Sequence, residues 1–299
     1  MPTSVRRSQS RCHGLRARLW IAVAAVPILG GCSFARQMAE SSVSYYSWEH
    51  FTLVATVPAN FGFTSKASYY PVSGYNCEIY SPGLGGNVTR QQQNSNKTEA
   101  KTEPQTVSTD IPLSFHIAGC SMALTRVSYE VSARYGTGSL DRDLELAGGL
   151  SIREMSGAAT KSPLPDIIEQ RGLCAWSFQI STAKIKKGEV EKILSCEATG
   201  PEWKLTKDKF KRRKPGGVLA RNDLAGKSVH IEFRFSPEES PYYKGYWLEV
   251  PGGWKPCSGR QESSREELCT KPPEFRTFKQ NGRECSVYPS CTEQGVTHE

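Results

Sequence analysis

Apolar and polar side chains alternate with a period of two along several separate stretches of this chain. Phe51, Leu53, Ala55 and Val57 alternate with Thr52, Val54 and Thr56, and Leu113, Phe115 and Ile117 with Ser114 and His116. Val127, Tyr129, Val131, Ala133 and Tyr135 stand against Ser128, Glu130, Ser132 and Arg134. Cys174, Trp176, Phe178 and Ile180 alternate with smaller residues, and Val229, Ile231, Phe233 and Phe235 with Ser228, His230, Glu232 and Arg234. In an extended chain successive side chains point to opposite faces, so this pattern predicts half-buried antiparallel strands separated by Gly, Pro and Asn turns. Helical periodicity is weak throughout, and the one candidate is a short helix around Pro163 to Gly172. The expected fold is all-β, in antiparallel sandwich-like modules.

Two interruptions organise the pattern. Residues 86–109 are rich in Gln, Asn, Thr and Lys and almost free of apolar side chains. Such a composition buries too little surface to offset the entropy of ordering, which predicts a mobile loop. Two sequons fall in it, Asn87-Val88-Thr89 and Asn96-Lys97-Thr98, and read as coincidence. Small residues and two prolines near 156–168 mark a boundary between an N-terminal β domain over 45–160 and a C-terminal, disulfide-rich one over 168–299. A single larger β-sandwich is the alternative, since all-β folds extend to about 250 residues as one unit. No internal repeat indicates a solenoid or propeller.

The longest apolar run lies at the N-terminus. Arg6, Arg7, Arg11, Arg16 and Arg18 precede Leu19–Leu29, and Gly30-Gly31-Cys32 follow. Positive flank, short apolar centre and small residues are the parts of a secretory signal. The run falls well short of the roughly 20 residues that span a bilayer. Leu29-Gly30-Gly31-Cys32 resembles the lipobox of bacterial lipoproteins, which implies cleavage after residue 31 and acylation of Cys32. Residues 33–44 then serve as a tether. Ser33 is not the aspartate that in that family favours inner-membrane retention, so the resemblance points to the outer membrane, facing the periplasm. A conventional signal with an ordinary Cys32 competes with this reading. So does a twin-arginine signal at Arg6-Arg7, although Ser8 and Gln9 follow where that motif wants apolar residues.

Cleavage changes the charge balance. The whole chain carries +8, and the five signal arginines leave +3 on the remainder. Eight cysteines follow Cys32 in this expected exported portion: Cys77, Cys120, Cys174, Cys196, Cys257, Cys269, Cys285 and Cys291. An even set in an oxidising compartment reads as disulfides. Sequence cannot choose among the 105 connectivities. The simplest guess joins neighbours in order, 77–120, 174–196, 257–269 and 285–291. Zinc is disfavoured, because no CxxC pair exists and His50, His116, His230 and His298 lack ligand spacing.

Candidate chemistry is sparse. The chain has no Gly-x-Ser-x-Gly elbow, phosphate-binding glycine loop or His-Glu-x-x-His. His116 and His230 fall on polar sides of strands, and Asp141-Arg142-Asp143 reads as a turn into a strand at Leu144 rather than a calcium loop. One segment concentrates charge. Lys204, Lys207, Lys209, Lys211, Arg212, Arg213 and Lys214 are opposed by Asp208 alone, ahead of Pro215-Gly216-Gly217. Charge runs are most often solvated loops. Docking on an acidic protein and attraction to anionic lipid are the functional alternatives, with Lys207, Lys209, Lys211, Arg212, Arg213 and Lys214 as the contacts. Nucleic acid is not expected, because too few aromatic residues accompany the patch to form a stacking groove. Tyr242, Tyr243, Tyr246, Trp247 and Trp254 serve either a core or an interface, and the Cys285–Cys291 loop would present Tyr288 outward.

The segment GCSMALTRVSYEVSARYG from Gly119 to Gly136 and the ending ECSVYPSCTE from Glu284 to Glu293 resemble poorly characterised proteobacterial lipoproteins. Some of these are thought to be immunity partners of lipase-type toxins delivered by type VI secretion. The resemblance implies an envelope-tethered protein that binds and blocks an incoming effector. The expectation is therefore a non-enzymatic, cofactor-free, lipid-anchored periplasmic binding protein. The alternatives are a general envelope-assembly lipoprotein, and a lipoprotein hydrolase in which His116 or His230 meets a Ser, Asp or Glu.

Overall fold

A computed structural model describes residues 43–73, 77–136, 138, 141–154, 165–180, 188–206, 208, 211–258, 269 and 272–292. The expected signal peptide, Cys32 and most of the tether lie outside them. The all-β reading holds, and among the described residues no helix of seven or more residues occurs.

Two sheets build the body. The first contains β1 (Tyr45–Tyr46), β3 (Phe61–Pro71), β6 (Gln92–Thr98), β8 (Ser114–Ile117), β9 (Cys120–Arg134), β10 (Arg142–Arg153) and β13 (Gly216–Ala220). Its spine is β9, with β3 and then β6 along one edge. The other edge carries β8 beside the first residues of β9 and β10 beside the rest, with β1 and β13 outermost. The second sheet runs β12 (Val190–Ala198), β11 (Ile167–Ile180), β14 (Ser228–Pro241), β2 (His50–Val57) and β7 (Gln105–Pro112). Its central three strands, β11, β14 and β2, are mutually parallel, and β13 is parallel to β10. The expectation of antiparallel strands does not hold for these three pairs, because side-chain alternation reports which face is buried and not strand direction.

The alternating apolar positions turn inward and meet. Phe51, Leu53, Ala55 and Val57 of β2 and Val229, Ile231 and Phe233 of β14 share one core with Phe63, Val127, Tyr129 and Val131 of the facing sheet. Ring contacts cross between the sheets, with Phe63 at 6.3 Å from Phe233 and Tyr135 at 5.2 Å from Trp176. The Tyr69 hydroxyl donates to the Pro112 carbonyl at 3.0 Å, tying β3 to the end of β7. Each large side chain so buried contributes about 1.5–3 kcal/mol by leaving water.

Three expectations require correction. Residues 86–109 are not a loop: β5 (Gly86–Thr89), β6 and β7 occupy most of the segment. β5 forms a hairpin with β4 (Glu78–Ser81), β6 pairs with β3 from Phe63↔Thr98 to Tyr69↔Gln92, and β7 pairs along the whole of β2. Composition reports what side chains can bury, whereas these edge strands are held through backbone hydrogen bonds while their polar side chains face water. Exposed polar and lysine side chains on β6 also suit an edge that must not recruit another strand. The expected short helix is the start of β11 from Ile167, with residues 163 and 164 outside the described set. Finally, the boundary near 156–168 does not separate two cores, because β2 and β7 share a sheet with β11, β12 and β14.

A smaller lobe sits at the far end of β11. It contains the sheet β15 (Trp247–Val250), β16 (Gly253–Pro256) and β19 (Tyr288–Pro289) and the hairpin β17 (Phe278–Gln280) and β18 (Arg283–Cys285). Phe178 reaches out of β11 into it, meeting Trp247 edge-on at 4.9 Å and Tyr288 at 4.2 Å. Tyr288 is therefore buried, not presented outward. Its hydroxyl donates to the Glu239 carboxylate, which also accepts from Lys192 Nζ at 2.5 Å. The cysteines pair in sequence order as Cys77–Cys120, Cys174–Cys196, Cys257–Cys269 and Cys285–Cys291. Cys77–Cys120 fixes the base of the β4–β5 hairpin to the start of β9. Cys174 and Cys196 lie directly opposite on β11 and β12 inside the main core.

Burial raises the Tyr69, Tyr129 and Tyr288 hydroxyls well above the ordinary tyrosine value of 10.0. An acid held neutral in the fold but free to ionise when unfolded stabilises the fold below its unfolded pKa and loses that contribution above it. Stability should therefore decline as pH rises past about 10, checked by chemical denaturation across alkaline pH. The Tyr129 hydroxyl is buried with no hydrogen-bond partner among the described residues. Tyr129→Phe removes that orphaned donor, should raise stability by about 1 kcal/mol, and should soften the alkaline decline.

Candidate binding groove

The basic segment does not project as a block of free charge. Arg212 lies 3.4 Å from Glu197 and donates to the Thr206 carbonyl at 2.9 Å. Lys211 stands 3.6 Å from Asp208. Lys214 donates to the Glu145 carboxylate and, at 3.0 Å, to the Cys196 carbonyl. Lys204 is exposed, while Lys207 and Lys209 lie outside the described residues. Arg213 is exposed and has no ion pair among the described residues. Trp203 packs under the Arg234 guanidinium at 4.0 Å, so this aromatic is used internally.

What the segment does is cross between the sheets. The Arg213 carbonyl accepts from Ala198 N–H at the end of β12, and the Pro215 carbonyl accepts from Gly149 N–H in β10. Gly216 N–H then donates to the Gln170 side chain of β11 at 3.2 Å, and β13 continues alongside β10. The crossing requires an approach that side chains would forbid. Gly148 and Gly216 have φ of 144° and 142°. A Cβ at Gly148 would lie 2.0 Å from the Pro215 carbonyl oxygen, and one at Gly216 would lie 1.9 Å from that of Gly149. A register shift between Leu146 and Gly148 marks the β-bulge that opens the space.

The glycines leave a hollow of about 700 Å³ on this face, with Gly148, Gly149, Gly216 and Gly217 among its lining. Arg126 of β9, Leu146 of β10, Arg213 and the Lys214–Glu145 pair also line it. Arg126, like Arg213, is exposed and makes no ion pair among the described residues. The pair cancels its own charge, so the groove retains two open guanidiniums beside exposed Leu146. A second hollow of about 480 Å³ lies further along β10, where Leu144, Arg134 and Arg142 meet Lys97 and Glu99. The hydrogen bond from Lys97 and its charge hold the Glu99 carboxyl below the usual carboxylate range, so this acid is occupied internally.

The histidines are elsewhere and apart. His116 stacks on Tyr45 at 4.9 Å, with its Nε2 3.2 Å from Ser114 Oγ. His230 lies on the outer face of β14 in a shallow depression of about 160 Å³ with Glu169, Arg171 and Glu232. Among the described residues no cluster of His, Cys, Asp or Glu is placed to hold a metal, and no helix is long and apolar enough to cross a membrane. Asp141 caps its turn by accepting from Gly138 N–H at 2.8 Å, and Asp143 accepts from Leu194 N–H at 2.8 Å.

Fold and site together define a disulfide-stapled β-sandwich with a basic, glycine-lined groove on one face. No protein-family model, curated protein or solved structure matches the chain. Sequence reasoning found Arg213 and Lys214 but missed Arg126, Leu146 and Glu145, which stand far away along the chain. The local signal that was available is Gly148-Gly149 within an otherwise strand-like run, a mark of a bulge or close backbone approach.

The glycine requirement is testable by contrast. Gly216→Ala should destabilise by about 1–3 kcal/mol through the positive φ alone, with the clash on Gly149 adding to it. Gly217→Ala meets nothing within 4 Å and should stay within about 0.5 kcal/mol of the parent. Thermal unfolding of both variants measures the difference.

Proposed function

We propose that this chain is a lipid-anchored periplasmic binding protein whose groove receives an acidic surface of a protein partner, in the manner of an immunity protein against a membrane-targeting secreted toxin. The observation that carries the reading is selective neutralisation. Lys211, Arg212 and Lys214 have internal acidic partners, while Arg126 and Arg213 face solvent in a groove with exposed Leu146 beside them. Guanidiniums left open on a rigid strand frame attract and orient carboxylates, and an adjacent apolar side chain supplies area that leaves water on contact. The lipobox-like Cys32 and the resemblance to immunity lipoproteins support the envelope setting and the class of partner.

Effectors encoded beside the gene provide the test, by pull-down and by rescue of effector-poisoned cells. The wild-type chain should bind and rescue. Arg126→Glu/Arg213→Glu should lower the association rate about tenfold, with a weaker dependence on salt. Unchanged binding by the double variant would remove the groove from the interface, and no rescue from any neighbouring effector would remove the immunity role. Cys32→Ser should shift the protein from the membrane to the soluble fraction, read by fractionation and intact mass.

A further inference from the structure

We infer that the end of the sandwich from which the tether leaves docks on the phospholipid headgroup interface. This rests on the reading of Cys32 as the anchor. β2 and β9 begin at this end, and β3 and β7 finish there. The described chain also starts there, since Tyr45 pairs with His116 and Ser47 N–H donates to the Ser114 carbonyl. A chain spans at most about 3.6 Å per residue, so the stretch from Cys32 to Val43 holds this end within about 40 Å of an acylated cysteine.

The side chains at this end suit that surface. Trp48 is 97% exposed, and Val43, Tyr45 and Tyr70 are exposed around it. Tyr80 and Leu84, the latter 77% exposed, belong to the hairpin whose base is bound to this end by the Cys77–Cys120 bridge. Tryptophan and tyrosine combine an apolar ring with a polar handle and concentrate at the level of lipid headgroups. Two polar side-chain pairs at this end are already engaged: Lys227 donates to Asp166 at 2.6 Å, and His50 stands 3.8 Å from Asp110. The exposed side chains around Trp48 are chiefly aromatic, with the acidic Glu49 next to it in the chain, unlike the basic groove. With this end on the bilayer, the parallel strands β2, β11 and β14 point away from it. They carry the small lobe at the end of β11 outermost and leave the groove open on the flank.

The full-length protein, purified with its native modifications, is reconstituted in phosphatidylethanolamine–phosphatidylglycerol vesicles whose acyl chains carry bromine near the headgroups. Bromine should quench the tryptophan emission, entry into the headgroup layer should shift it to the blue, and Trp48→Phe should reduce the quenching at least twofold while Trp203→Phe leaves it unchanged. Equal quenching in wild type and Trp48→Phe overturns the docking. So does an absence of quenching in protein whose intact mass shows acyl groups on Cys32, a result that leaves the anchor standing. A doubled mass with Trp48 shielded from lipid also overturns it, by giving the face to a second copy. An intact mass without acyl groups refutes the anchor instead, and vesicles added to that soluble protein still decide the docking by the same Trp48-dependent signal.

Discussion

Everything in this molecule depends on β14 lying between β11 and β2. Its inward residues Val229, Ile231 and Phe233 face the core, while its two edges bind strands from opposite halves of the sequence. Removing that strand would leave β2 and β7 as a two-stranded ribbon and β11 and β12 as another, neither with enough apolar area to persist alone. One cooperative core follows, and the two modules suggested by the Pro-rich stretch near 156–168 merge into it.

The same merging creates the groove. A chain returning from β12 must reach the opposite sheet to add β13 beside β10, and it does so through Arg213 to Gly217. Carbonyl and amide groups of this crossing are satisfied by Ala198, Gly149 and Gln170. Backbones approach there so closely that Cβ atoms are excluded at Gly148 and Gly216. The hollow is thus a by-product of packing strand against strand without side chains between them. Its charge comes from what the crossing leaves unpaired, Arg213, and from Arg126 on the neighbouring spine.

The groove and the proposed attachment end are separated by strand direction. The parallel centre of the second sheet gives the sandwich a polarity, with Val43 and other exposed apolar and aromatic residues at one end and the Phe178-centred lobe at the other. Arg126 and Arg213 lie on the flank between them. A chain anchored as proposed would need its groove clear of the lipid, and this geometry would provide it.

The residues alone determined the strands whose two faces differ. Phe51–Val57, Val127–Tyr135 and Val229–Phe235 announce themselves because alternate positions must be apolar to build the core. The even cysteine set likewise announced disulfides, and the bridges join sequential neighbours because each spans strands or turns that are already close. Strands held by backbone alone were silent: β6 and β7 have polar compositions because only one of their edges is paired and their outer faces are wet. The groove was half legible. Arg213 and Lys214 stood out in a basic run, but neutralisation by Glu145 and Glu197 and the partnership with Arg126 depend on residues distant in sequence. Only the tertiary structure decided which charges cancel, because ion pairing is a matter of distance in space, and a linear pattern records neighbours along the chain.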